Sequence, residues 1–178
     1  EEIISTIARN VLGTTKITYQ GQEIDLTPSW KRITMIESIK EVTGIDFNNI
    51  NTDEEAVALA KEKGIEIPDK TKETRGDVIS LFFDEYVEKT LIQPTFIYEY
   101  PVEISPLAKK CPNNKKMTER FEVFIGGREY GNAYSELNDP MEPQLCWHLD
   151  YRHVYGKLRR QYREPYFSWK VHRRYYPD

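Results

Sequence analysis

Residues 121–137 of this 178-residue chain, FEVFIGGREYGNAYSEL, decide its fold. Gly126-Gly127 joins two segments in the part of the chain beyond Leu91, where the period is extended rather than helical. Two adjacent glycines suit a two-residue hairpin because both turn positions then accept positive φ. The stretch therefore predicts two antiparallel strands, at 121–125 and 128–137.

Each strand of this hairpin carries a glutamate. In a regular two-residue hairpin Phe124 opposes Glu129 and Glu122 opposes Gly131. Glu122 and Glu129 would then lie diagonally on one face, about 7–8 Å apart at Cα. Paired carboxylates suit Mg²⁺, which completes its ligand shell with water and nucleotide phosphates. A solvated strand face is the simpler interpretation of the same pair.

A second polar group follows on the same strand, with Asn132, Tyr134 and Glu136 at alternate positions and therefore on one face. A carboxylate, an aromatic ring and an amide together can recognise a cationic amine, although a polar strand face covered by a tyrosine is the simpler interpretation of the spacing alone. Glu129 and Asn132 are three residues apart, so a regular strand would separate the two groups. A bulge at Tyr130-Gly131 would bring them to one face.

The rest of the chain combines helical and extended segments. Residues 1–12 have helical apolar spacing, and residues 34–37 (TMIE) and 52–55 (TDEE) each match a helix capping box. Beyond Leu91 the period becomes extended. These patterns predict an α+β domain with an antiparallel sheet and with helices packed to one side, the strands lying near 16–26, 95–104, 121–125 and 128–137 and the helices between 34 and 89.

Composition changes near residue 140. Residues 1–140 hold 17 Lys and Arg against 25 Asp and Glu, whereas residues 141–178 hold 8 against 4 and contain all three histidines. The last segment is therefore a basic aromatic tail, which suits a nucleic-acid surface, an aromatic packing segment or a non-native sequence. The mean hydropathy of −0.67 and the lack of a long apolar run argue against a membrane protein.

Four stretches resemble the catalytic domain of bacterial class II lysyl-tRNA synthetases, and the resemblance covers residues from about 10 to 140. They are LGTTK at 12–16, LIQPTF at 91–96, YPVEISPLAK at 100–109, and TERFE at 118–122 running on to SELNDP at 135–140. The resemblance implies the synthetase catalytic core with a helical insertion at about 34–90. It also implies ATP-dependent activation of lysine, transfer to tRNA(Lys), a homodimer and a cytoplasmic location.

The resemblance also implies roles for both groups of hairpin residues. Glu122 and Glu129 would bind Mg²⁺ together with ATP, while Asn132, Tyr134 and Glu136 would form the lysine pocket, with Glu136 facing the ε-ammonium. The dimer-forming motif and the two arginine-bearing ATP motifs of the family have no counterpart in these 178 residues. With no initiator Met either, we expect a fragment that is inactive alone. A reading-frame change or a non-native tail would explain why residues 141–178 do not match the family.

Two other functions remain open from the sequence. A non-enzymatic RNA- or partner-binding module could reuse the synthetase scaffold together with the basic tail. A Mg²⁺ hydrolase could be built on the two hairpin glutamates, although no histidine or aspartate lies beside them in sequence. Cys111 and Cys146 lack the spacing of a zinc site or a disulfide framework, which favours a reducing cytoplasm.

Overall fold

The computed structural model describes residues 1–68 and 73–137, so the tail predicted at 141–178 lies outside the described residues. The α-helices in this part of the chain are α1 (Glu2–Leu12), α2 (Met35–Thr43), α3 (Asp53–Glu62) and α4 (Arg75–Phe82). Its strands are β1 (Lys16–Tyr19), β2 (Gln22–Asp25), β3 (Lys31–Thr34), β4 (Thr95–Pro101), β5 (Met117–Ile125) and β6 (Arg128–Tyr134). The α+β class predicted from the sequence is confirmed.

The main sheet has the strand order β3-β4-β5-β6, with β3 parallel to β4 and the other pairs antiparallel. The prediction that residues 16–26 belong to this sheet is wrong, because β1 and β2 form a separate two-stranded sheet. The side chain of Gln93 docks that hairpin. Its Oε1 accepts from the Asp25 N–H at 3.0 Å, and its Nε2 donates to the Glu23 carbonyl at 2.8 Å.

Two of the helices between β3 and β4, α2 and α3, begin where the predicted capping boxes place them. The Thr34 hydroxyl accepts from the Glu37 N–H, and the Thr52 hydroxyl accepts from the Glu55 N–H, which satisfies free amides at the starts of α2 and α3. The helical path of α4 continues through a π-helical turn, Phe83–Val87, and a 3₁₀ turn, Glu88–Thr90. The predicted helix at 76–89 is therefore one continuous helical run of three geometries.

Aromatic contacts fix this helical segment on the sheet. Phe47 and Phe82 are fully buried and meet edge to face, with ring centroids 5.1 Å apart. Phe83 packs on Phe124 of β5 at 5.5 Å. Such pairs contribute about 0.5–1.5 kcal/mol beyond their burial. The π-helical turn is consequently held against the strand that carries Glu122.

A second, smaller hydrophobic core brings together residues of α1, of β2 and of β5. α1 ends at Gly13 in the left-handed conformation, as its sequence predicts, with φ 74°. The helix contributes Ala8 to a buried cluster with Trp30 and Ile125. The structure has no helix long and apolar enough to cross a membrane within the described ranges.

Candidate functional site

The turn between β5 and β6 is fixed by its two glycines. Gly126 and Gly127 have φ of 61° and 71°, as a two-residue hairpin of this type requires. Their N–H groups donate to the carbonyls of Ile92 at 2.8 Å and Leu91 at 2.9 Å. The hairpin is therefore anchored to the backbone that leads into β4.

The β5–β6 register contains the bulge predicted at Tyr130-Gly131. Phe124 pairs with Glu129 as expected, but Val123 pairs with Gly131, which leaves Tyr130 as the extra residue on β6. In a regular hairpin Glu122 would pair with Gly131, but the bulge shifts its partner to Asn132. The bulge brings the two predicted polar groups to one face, because directly paired residues share a face.

Glu122 lies at the centre of a hydrogen-bond network that draws on three strands. Its Oε1 accepts from Arg120 Nη2 at 2.5 Å and from Asn132 Nδ2 at 3.1 Å. Its Oε2 accepts from the Tyr100 hydroxyl at 2.8 Å. The carboxylate is buried, with 7% of the residue exposed, so these donors replace the water it has lost.

Burial and charge act against each other at this network. Burial, reinforced by the charge of Glu129, raises the pKa of Glu122, whereas the bonds from Tyr100 and Arg120 lower it. Burial and the negative charge of Glu122 also raise the pKa of the Tyr100 phenol well above its usual range. Tyr100 is therefore protonated at physiological pH and acts as a donor to the carboxylate.

Glu122 and Glu129 line one cavity of about 300 Å³ between the sheet and the helical segment. Asp84, Glu88 and Arg120 also line it, so carboxylates outnumber cationic groups in its wall. Burial, followed by the charges of Glu88 and Glu122, raises the pKa of Asp84. The cavity can accept a cation, and its volume is at the lower end of the range for ligand pockets.

The three residues predicted to form a lysine pocket are in a more open place. Asn132 and Tyr134 lie on β6, and Glu136 follows the strand in an antiparallel bridge with Ala108. All three predicted pocket residues are exposed, Tyr134 at 45%. Only Asn132 of the three contacts Glu122, which makes it the link between the two predicted groups.

Several residues of the site were not predicted from the sequence. Arg120 lies two residues before Glu122 on the same strand, so alternation alone could have placed both side chains on one face. Asp84 and Glu88 are four residues apart in a helical segment, a spacing that puts them on one side. No sequence signal indicates Tyr100, because its position depends on an irregularity in β4.

Two of the four carboxylates that line this cavity, those of Glu122 and Glu129, are the ones predicted to bind a divalent cation. In residues 1–68 and 73–137 no group of three or more His, Cys, Asp or Glu side chains could hold a metal ion. Counting lone pairs, Oε1 of Glu122 is saturated by two donors, whereas Oε2 keeps one free position. One carboxylate oxygen of Glu122 and the exposed Glu129 fit Mg²⁺, which takes one or two protein carboxylates and fills its shell with water and phosphate.

Comparison with known proteins finds a matching family model and lysine–tRNA ligases that are similar to this chain. A family model described as tRNA synthetases class II (D, K and N) matches residues 1–146. The chain is 57% identical over 142 residues to a lysine–tRNA ligase of Clostridium perfringens (strain SM101 / Type A), covering 79% of this chain. Lysine–tRNA ligases of Thermoanaerobacter pseudethanolicus, 57% identical, and Staphylococcus epidermidis, 54% identical, match over 142 residues and 80% of this chain. The chain spans 28% of the length of each of these relatives.

Proposed function

This chain belongs to the class II tRNA synthetases of the D, K and N group, and from that membership we propose that it forms part of a lysine–tRNA ligase catalytic domain. In the reaction, the lysine carboxylate would attack the α-phosphate of ATP to form lysyl-adenylate and release pyrophosphate. The lysyl group would then pass to the 3′ end of tRNA(Lys) with release of AMP. The observation that carries the proposal is the placement of Glu122 and Glu129 in the wall of one cavity, with Asn132 bonded to Glu122.

Glu122 and Glu129 are proposed to hold Mg²⁺ with the phosphates of ATP. A bound Mg²⁺ would supply positive charge where negative charge develops on the phosphates. Glu122 would offer its free Oε2 position from the buried side, and Glu129 would offer an exposed carboxylate from β6. Most of the ligand shell would come from ATP and water, so we expect weak metal binding by the carboxylates alone.

Asn132, Tyr134 and Glu136 are proposed to bind lysine. The Asn132 amide is oriented by its bond to Glu122, because only its NH₂ end can face a carboxylate. Its carbonyl oxygen is then left free to accept a hydrogen bond from an ammonium group. Glu136 is exposed in this part of the chain, so enclosing the ε-ammonium against its carboxylate would require residues beyond those described.

Catalysis of this kind depends on in-line placement of the lysine carboxylate and on cations around the phosphates. The residues of this chain would provide the metal carboxylates and the side-chain end of the lysine site. The family resemblance places the ATP-clamping arginines in motifs that these 178 residues do not contain. Loss of one preorganised donor costs on the order of 10²–10³ in rate, so we propose that the chain alone has no measurable activity.

The proposed function can be tested in a hybrid enzyme. Residues 1–140 of this chain would replace the matching segment of the C. perfringens relative, and lysine-dependent ATP–pyrophosphate exchange would be measured. An active hybrid that selects lysine supports the proposal. A folded hybrid that is inactive, or that activates another amino acid, refutes it.

The same hybrid tests the proposed lysine residue. Glu136→Gln should lower kcat/KM for lysine by about 10–100-fold, the range for losing a hydrogen bond to a charged group, and should leave KM for ATP nearly unchanged. Glu54→Gln, an exposed change on α3, serves as the matched control. If Glu136→Gln behaves like Glu54→Gln, Glu136 is not the specificity residue.

A further inference from the structure

Tyr98 and Tyr100 lie two residues apart on β4, yet they occupy opposite faces of the sheet. Tyr98 pairs with Phe121, which alternation places on the face opposite to Glu122, while Tyr100 pairs with Thr118 after a register shift. Between the two tyrosines, Glu99 has φ of 59°, a left-handed conformation that costs a non-glycine residue about 1–2 kcal/mol. This irregularity turns Tyr100 toward Glu122.

The surroundings of Tyr100 hold its side chain in one place. Tyr100 is only 3% exposed, and the Thr118 hydroxyl donates to its carbonyl at 2.8 Å. The guanidinium of Arg120 lies 4.6 Å from the centre of its ring. Arg120 is in turn fixed by the Ser105 hydroxyl, to which its Nη1 donates at 2.9 Å. A phenol held this firmly can fix the orientation of the carboxylate it contacts.

The hydrogen bonds to Glu122 leave one acceptor position of its carboxylate free, and the Tyr100 bond helps to determine which one. Arg120 and Asn132 fill both acceptor positions of Oε1, and the Tyr100 hydroxyl fills one of the two on Oε2. We propose that Tyr100 is a positioning residue, which holds Glu122 so that it binds a divalent cation through the remaining position of Oε2, as a monodentate ligand. The inference rests on the proposed metal role of Glu122, and deepens it by naming the residue that directs that ligand.

The strain at Glu99 is consistent with this role. A backbone held in a sparsely populated conformation persists only where the surrounding structure imposes it, and such sites cluster at ligand-binding positions. The strain at Glu99 places a hydroxyl 2.8 Å from a proposed metal-binding carboxylate. Partners that hydrogen bond to a metal ligand typically contribute 10–100-fold to metal affinity.

The test uses the full 178-residue chain and Mn²⁺ as the probe. Paramagnetic broadening of the amide signals of Glu122 and Glu129 by NMR gives the Mn²⁺ dissociation constant. Tyr100→Phe removes only the hydroxyl and should weaken Mn²⁺ binding at least tenfold. Tyr98→Phe removes the same group from the opposite face and should leave the dissociation constant unchanged.

A double-mutant cycle separates positioning from a general structural role. If Tyr100 acts through Glu122, Tyr100→Phe should have no further effect on Mn²⁺ binding once Glu122→Gln is present. Should Tyr100→Phe fail to fold, Thr118→Val, which removes the bond to the Tyr100 carbonyl, is expected to weaken Mn²⁺ binding in the same direction. Equal Mn²⁺ affinity in wild type and in whichever of these variants folds overturns the positioning role. No site-specific broadening in the wild type refutes the metal role of Glu122 itself.

Discussion

Gly127 is the glycine whose replacement should damage the candidate site most directly. Its φ is 71°, and a Cβ added there would lie 3.3 Å from the carbonyl oxygen of Lys89. Gly21, in the β1–β2 turn, has a similar φ of 79° but nothing within 4 Å of such a Cβ. Gly21→Ala is therefore the matched control, because it introduces backbone strain without crowding.

The two alanine variants should differ by a measurable free energy. An alanine in the left-handed region costs about 1–2 kcal/mol, partly offset by about 0.4–1 kcal/mol because alanine restricts the unfolded chain. Gly21→Ala should therefore lower the free energy of unfolding by about 1 kcal/mol. Gly127→Ala must in addition displace backbone against its 2.9 Å bond to the Leu91 carbonyl, worth about 0.5–1.5 kcal/mol, for a total of about 2 kcal/mol.

Urea unfolding followed by far-ultraviolet circular dichroism measures both losses. The expected result is a lower midpoint for Gly127→Ala than for Gly21→Ala, with equal slopes of free energy against urea concentration. Equal midpoints for the two variants would refute the reasoning, because crowding against Lys89 would then contribute nothing. A midpoint lower for Gly21→Ala would contradict it more strongly.

Three further outcomes are expected. The pKa of Asp84 is raised in the folded state, so the free energy of unfolding falls as the pH rises from the unfolded pKa through the folded pKa. Asp84→Asn should therefore raise the urea midpoint at pH 7 and have no such effect at pH 3, and a gain of equal size at pH 3 would contradict this cause. Thr52→Ala removes the capping box of α3 and should cost about 1 kcal/mol by urea unfolding, and no loss would show that the cap contributes nothing. β6 has no partner on its outer edge among the described strands, so its free backbone groups can pair with another chain. We therefore expect concentration-dependent self-association in sedimentation experiments. A monomer at high concentration with fast-exchanging β6 amides would contradict this.

Local signals in the sequence were sufficient for the elements that depend on a few neighbouring residues. The capping box at Thr34 and the left-handed cap at Gly13 rest on contacts within four residues, and the conformation of the Gly126-Gly127 turn rests on the positive φ of its two glycines. The bulge at Tyr130 was also predictable, because Glu129 and Asn132 are three residues apart and a regular strand would place them on opposite faces. Bringing both polar groups to one face requires one extra residue between them. Each prediction succeeded because side-chain chemistry and backbone geometry are coupled at short range.

Long-range pairing could not be predicted in the same way. β3 has four residues, with Ile33 as its one apolar side chain, and it pairs in parallel with β4, more than 60 positions later in the chain. A four-residue segment with one apolar side chain is too short for its pattern to distinguish a strand from a loop. For the same reason residues 16–26 were assigned to the main sheet: alternation identifies a hairpin but does not specify which sheet it joins.

The candidate site depends on both kinds of information. The spacing of Glu122 and Glu129 indicates a pair of carboxylates, but a pair alone does not distinguish a metal site from a solvated surface. In the structure Glu122 is buried and accepts from donors on three adjacent strands, of which Tyr100 and Asn132 reach it only through register shifts on either side of β5. A regular sheet with the same residues would turn both donors elsewhere and leave the buried Glu122 carboxylate with one donor, Arg120. The irregularities of the two neighbouring strands are therefore what make this carboxylate a candidate ligand.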